Sequence, residues 1–308
     1  MSTHVPIMLM AFIRPDLIKK CMRQLAKFEP PILYVMGDGP RDLNEEKLCN
    51  ESRCIASNPS WDCEVIKIYN SSNKGIVKSF CTGMNAMFKE HEFGIYLEDD
   101  ILLSSSFYNF AKDLLIKYRH NNNVGHINAT NMSPDYIPPN KESYIFSNHV
   151  AEWGFATWKR MWDSYDVKMM AWANVDQNQI LKKTSTNFRA KKSLKKMFDI
   201  HYDNDSPLAW GYQWHFNCLL HNALTITPTL NMSLNIGFER NDSTNTFGIN
   251  PIAHDLEETA FPLTHPRTIK QNLRFDKLVE NKLCPSHINI IKGKLKNKIN
   301  SFYSRIKD

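Results

Sequence analysis

The chain has no run of about 18 apolar residues, the length needed to cross a bilayer, and no GxxxxGK[ST] loop of the kind that cradles phosphates. These absences argue against a membrane span and against a P-loop nucleotide enzyme. It has no CxxC pair either. Cys49, Cys54 and Cys63 lie close together without zinc-type spacing, so the seven cysteines read as reduced thiols. The start, MSTHVPIMLMAFIRPD, lacks the layout of a secretory signal, because its apolar run is short and ends at Arg14-Pro15. The expected location is therefore cytoplasmic, and Asn-x-Ser/Thr triplets such as those at Asn70 and Asn128 are chance matches. No internal repeat and no dense basic and aromatic patch is present, so nucleic acid is not an expected partner.

What is present is the composition of a globular protein: 308 residues, 42% hydrophobic and 23% charged, with a mild net charge of +6. That charge suits an anionic small molecule or a membrane surface. The first half alternates. Strand-like runs at 6–12, 31–36, 63–69, 93–98 and 124–128 are separated by helical stretches. One of these, 75–91, carries Ile76, Phe80, Met84, Met87 and Phe88 on one face. Alternation at this pitch predicts an α/β fold with a mostly parallel sheet and helices on both faces. Such sheets bind ligands at the carboxyl ends of their strands. Asp38, Asn73 and the Glu98-Asp99-Asp100 triplet all fall at such ends.

The second half is less regular. AEWGFATWKRMW (151–162) is rich in tryptophan, 177–203 reads as helical and basic, and WGYQWHFNCLLHNAL (210–224) reads as a helix. The expected organisation is a first half at 1–130, a second half of the same domain at 131–248, an extended arm at 249–287, and a tail at 288–308. In the tail, Ile288, Ile291, Leu295, Ile299, Phe302 and Ile306 are three or four apart, with lysines on the other faces. This is a basic amphipathic helix, open to two readings: peripheral contact with the inner face of the plasma membrane, or docking on the protein's own core.

Three adjacent carboxylates after an apolar strand must be solvated, paired or bound to a cation. A hard divalent cation, Mg²⁺ or Mn²⁺, takes oxygen ligands, often one or two carboxylates plus substrate phosphates. A solvated loop is the alternative.

YLEDDILLSSSFYNF, EWGFATWKRMWDSYD, WGYQWHF and NIGFERNDSTNT, in this order, resemble bacterial sugar transferases of the GT-A type, those similar to animal N-acetylglucosaminyltransferase I. The resemblance implies a nucleotide-diphosphosugar donor, with UDP-sugars favoured, a divalent metal (Mn²⁺ or Mg²⁺) and inversion at the anomeric carbon, and it makes 1–130 the nucleotide-sugar-binding half and 131–248 the acceptor and catalytic half. It makes Asp100 the metal ligand and places Glu98 and Asp99 near the ribose and the metal's water shell. It puts Arg14 near the diphosphate, and Asp38 where an acid receives the base's ring N–H. Asn73, Lys74 and Lys78, in NKGIVKS, match the family's sugar-nucleotide loop. Arg14 also reads as a helix-start residue, and Asp38 as a turn former. Gly154 would let the backbone approach the sugar and Trp153 would stack on it, with Glu152 completing the wall and Trp158 and Trp162 in the core. The implied acceptor is a surface glycan of capsule or lipopolysaccharide type, or a lipid-linked sugar.

Two positions depart from the family. Relatives tend to carry an acid after the first tryptophan of the Trp-x-Tyr-Gln-Trp motif, as general base; here that position is Gly211. Asp205, Asp203 and Glu152 are the possible substitutes, and the turn Asp205-Ser206-Pro207 makes Asp205 the first choice. Asn245 stands where relatives often have histidine. Both departures also suit a different class of protein, a catalytically degenerate scaffold that binds sugar nucleotide or glycan.

Overall fold

The computed structural model describes residues 4–184, 187–207, 209–238 and 254–284. The tail at 288–308 and Asn245 lie outside them.

Apolar β-runs form the strands of one large sheet: β1 (Ile7–Ala11), β2 (Ile32–Gly37), β3 (Glu64–Tyr69) and β4 (Phe93–Leu97). A short β5 (Ile101–Leu103) leaves this sheet, and β6 (Val124–Asn128), β7 (Tyr144–Ser147), β8 (Phe155–Trp158) and β9 (Leu224–Pro228) return to it. The order is β3-β2-β1-β4-β8-β6-β9-β7, and β10 (Ser233–Asn235) pairs separately with β5. β1 to β4 are mutually parallel and β6 pairs parallel with β9, whereas β8 runs against both β4 and β6. The expected mostly parallel α/β sheet is therefore present, continuous through both halves of the chain.

β1 shows why helices cover both faces. Its residues are all buried and alternate between two cores. Ile7, Leu9 and Ala11 pack with the helices Pro15–Leu25 and Phe107–Lys117. Met8 and Met10 pack with Ile76–Glu90 and Gly211–Leu220. The second core is aromatic: Phe80 stacks on Trp210 with ring centroids 4.3 Å apart, and Tyr96, Trp162 and Trp214 join it.

The second half departs from expectation in two places. The tryptophan-rich segment forms β8, inserted antiparallel between β4 and β6. Its apolar residues are too few to signal a strand by periodicity. The arm expected at 249–287 is irregular only in part. Glu258 accepts the N–H groups of Ser105 and Ser106, but Leu273–Leu283 then forms a helix. That helix starts at Asn272, whose side chain caps the Phe275 N–H, and it buries Phe275 and Val279 against Met132, Tyr136 and Ile145. The basic stretch 177–203 divides into helices Gln177–Thr184 and Phe188–His201. No helix among the described residues is long and apolar enough to cross a membrane.

Antiparallel β8 matters for the site. Its Phe155 pairs with Tyr96 near the end of β4, so residues 152–154, just before β8, reach the edge where β4 ends. Trp158 closes the other end: it is 1% exposed and its indole N–H donates to the Leu115 carbonyl at 2.9 Å. Trp158→Ala is expected to lower unfolding free energy by about 3–5 kcal/mol, as large-to-small changes in a packed core do. Urea unfolding of the variant measures it.

Candidate active site

Glu98, Asp99 and Asp100 follow β4 at the carboxyl edge of the sheet. Arg14, just after β1, reaches across to them, because β1 and β4 are adjacent and parallel. Its Nε donates to Asp99 Oδ2 at 3.1 Å and its Nη1 to Asp100 Oδ2 at 3.0 Å, and its Nη2 also pairs with Asp99 Oδ1. Burial works against the guanidinium's charge, but Asp99 and Asp100 outweigh it and raise its pKa. Arg14 thus offsets much of the repulsion among the acids. Glu98 lies outside this fork. It accepts from the Tyr96 hydroxyl at 2.7 Å and from the Trp210 indole at 3.4 Å. Burial pushes its pKa up, and Asp100, Glu152 and Asp99 push the same way.

One oxygen of this group is unused. Asp100 Oδ1 is buried and has no hydrogen-bond partner. Its other oxygen lies against Gly237, where a Cβ would overlap it; β10 pairing with β5 brings that glycine there. No cluster of three or more His, Cys, Asp or Glu among the described residues is arranged to hold a metal. The described residues therefore make no closed cage. A single open carboxylate oxygen does fit Mg²⁺ or Mn²⁺, which retain waters and take substrate phosphates as ligands.

The second half contributes Glu152, Trp153 and Gly154. Gly154 has φ +77°, a left-handed conformation, and a Cβ there would press on Leu103. Backbone shape and packing alone therefore account for this glycine. Trp153 packs partly on the core and meets Phe238 edge-on at 5.6 Å. Glu152 answers the puzzle of Gly211. A Cβ on Gly211 would overlap the Glu152 carboxyl, so the acid occupies the space that the glycine leaves empty. Burial raises the Glu152 pKa to about 7. The carboxyl also lines a cavity of about 480 Å³ together with Trp153 and Gly211.

Asp38 is buried after β2 and gathers the loop that follows β3. Its Oδ1 accepts from the Gly39 and Lys74 N–H groups and the Asn70 amide; its Oδ2 accepts from the Asn73 amide and the Gly75 N–H. A carboxylate offers about four lone-pair positions. These donors use them, so Asp38 and Asn73 together shape the loop. The Lys74 and Lys78 side chains are exposed. Asp205 stands apart from the acids: its side chain is 84% exposed and pairs with Lys168 at 2.6 Å, which lowers its pKa. Asp203 is also exposed, 4.0 Å from the same lysine.

Tyr96, Trp210 and Gly237 were not singled out by sequence. Tyr96 sits two residues before Glu98, so the strand's period of two places both on one side, a signal that was available. Gly237 depends on the pairing of β5 with β10 and had none.

No family model matches the chain, and no curated protein matches its sequence. Solved structures with some likeness include a mannosyltransferase from Pyrobaculum calidifontis in complex with GDP-Man and Mn²⁺ (TM-score 0.39, 11% identity, covering 70% of this chain and 69% of that one). Others are HddC from Yersinia pseudotuberculosis complexed with GMP-PN (TM-score 0.35, 10% identity, 52% and 80%) and the inositol-1-phosphate CTP transferase from T. maritima (TM-score 0.33, 15% identity, 74% and 86%). Likenesses this distant carry no weight for the reaction.

The contact at Gly211 gives a direct test. Gly211→Ala is expected to cost about 1–3 kcal/mol, because overpacking forces neighbours out of place. In a Glu152→Ala background the same change should cost much less. Differential scanning calorimetry of the two single variants and the double variant measures the coupling.

Proposed function

We propose that the chain is an inverting, metal-dependent glycosyltransferase. It moves a sugar from a nucleotide-diphosphosugar, preferably a UDP-sugar, to a hydroxyl of a bacterial surface-glycan or lipid-linked acceptor. The observation that carries this reading is the Glu152 carboxyl in the gap at Gly211, beside the Glu98–Asp100 acids and lining a cavity. An inverting transfer needs one base at the acceptor hydroxyl and positive charge at the leaving diphosphate. This edge of the sheet has candidates for both.

Glu152 is the proposed base. As the acceptor oxygen bonds to the anomeric carbon, the bond from that carbon to the diphosphate oxygen breaks, and the hydroxyl proton passes to Glu152. A pKa near 7 suits the task, since a base works best near the ambient pH. Arg14 supplies fixed positive charge beside the acids. Asp100 Oδ1 would hold the divalent cation, which when bound supplies further charge stabilisation at the diphosphate. The Asp38 loop, with Asn73 and Lys74, is the proposed wall for the nucleoside. Trp153 is the proposed platform for the sugar.

Asp205 is not part of the proposal, because its exposed ion pair with Lys168 holds it on the surface.

Glu152→Gln is expected to lower transfer by roughly two to four orders of magnitude with little change in donor affinity. The base acts ionised, so activity in the native protein should climb as pH rises through about 7 and then level. The rise should vanish in the Glu152→Gln variant. Glu152→Ala with Gly211→Asp, which offers a carboxylate from the other side of the gap, should recover part of the activity. The assay is release of nucleoside diphosphate from a panel of nucleotide sugars with Mn²⁺. Near-normal turnover of Glu152→Gln would remove it as the base. Release of a sugar 1-phosphate on adding pyrophosphate would instead identify a nucleotidyltransferase.

Asp100→Ala should abolish the Mn²⁺-dependent part of nucleotide-diphosphate affinity and leave the fold intact, because it removes the unpaired Oδ1 and one arm of the Arg14 fork while the Arg14–Asp99 pair remains. Titration calorimetry with and without Mn²⁺ measures it; an unchanged metal dependence would sink the assignment.

A further inference from the structure

The cavity that Glu152 lines is mixed in character. Glu152, His149, His215, Ser193 and Glu280 are among its polar side chains, and Met132, Leu194, Met197 and Leu283, from the segment after β6 and from the helices Phe188–His201 and Leu273–Leu283, are among its apolar ones. At about 480 Å³ it lies within the range of roughly 300–1,000 Å³ that holds a small organic ligand.

His149 is the side chain that asks for a ligand. It is 8% exposed and lines the cavity, and its Nε2 has no hydrogen-bond partner. Burial lowers its pKa to about 4, so the ring is neutral at ordinary pH. A neutral ring nitrogen wants one hydrogen bond, given or received according to tautomer. A ligand hydroxyl satisfies either case. His215, by contrast, is already engaged, with its Nε2 at 2.8 Å from the Asn148 carbonyl.

We propose that this cavity binds the acceptor, and that the acceptor is an amphiphile. Its hydroxyl-bearing sugar lies between Glu152 and His149, and an apolar chain attached to that sugar runs over Met132, Leu194, Met197 and Leu283. A free sugar, polar all round, would leave the apolar side chains against water. A simple hydrocarbon would leave His149 unpaired and Glu152 desolvated. A molecule with both characters satisfies both kinds of side chain. The assignment rests on the transferase reading for the role of Glu152, but the binding itself requires neither donor nor metal.

The test is therefore a titration of the full chain alone. The probes are n-octyl β-D-glycosides of glucose, galactose and N-acetylglucosamine, each below its micelle concentration, with their methyl glycosides and 1-octanol. At least one octyl glycoside should bind about tenfold or more tighter than its methyl partner and than octanol, since each buried methylene adds affinity. Met197→Asp should bring that octyl glycoside down to the methyl level. Met197 is only half-buried, so the change leaves the packed cores alone. Leu283→Asp, at a 51% exposed position, is the second variant and should act the same way. Equal affinities for methyl and octyl with every head group would overturn the proposal. So would octanol binding as tightly as the octyl glycosides, or a chain-length gain that survives both variants. Loss of nucleotide binding by the unaltered chain would sink the transferase reading and leave this titration standing; failure of the titration alone would leave the donor site untouched.

Discussion

Bringing several carboxylates to one buried edge is the constraint on which the rest of this molecule turns. Ionised acids resist both burial and each other. The chain meets this with three devices. Arg14 forks between Asp99 and Asp100. Tyr96 and Trp210 donate to Glu98, whose pKa burial pushes upward. Asp100 Oδ1 is left open. The first two stabilise the edge as protein alone. The third leaves one acceptor for something from outside, and such an orphan is uncommon enough in a folded protein to call for an occupant.

The scaffold serves this edge. Parallel β1, β2 and β4 deliver Arg14, Asp38 and the acid triplet to the same side of the sheet. Antiparallel β8 then does what another parallel strand could not: it begins where β4 ends, and so brings Glu152 to the acids. The aromatic core behind them, with Phe80 stacked on Trp210 and Tyr96 set edge-on against both, fixes the side chains that touch Glu98. A site built on rigid strands and stacked rings holds its geometry better than one carried on loops.

Gly211 and Glu152 show how an absent side chain makes room for one from a distant segment. A Cβ on Gly211 would overlap the Glu152 carboxyl, so the acid fits only because the glycine leaves that volume empty. Gly237 likewise leaves room for Asp100, because β10, far away in sequence, pairs with β5, which directly follows Asp100.

The sequence by itself determined the strand and helix order of the first half, the sheet type and the position of the acid triplet at a strand end. These follow from local periodicity and composition, which need no knowledge of distant contacts. It also named Glu152, with Asp203 and Asp205, as a carboxylate to weigh against Gly211, though not that Glu152 fills the space beside that glycine. Tertiary structure alone decided the partners. Arg14 finds Asp99 across 85 residues, and Asp38 closes a loop more than 30 residues on. β8 inserts against the run of the sheet, and Asp205, a plausible base in its turn, faces solvent with Lys168. The helix Leu273–Leu283 was hidden because Phe275 and Val279 are its only buried apolar residues and the stretch before it is irregular. Side-chain direction and long-range packing set all of these, and neither leaves a mark in the spacing of residues along the chain.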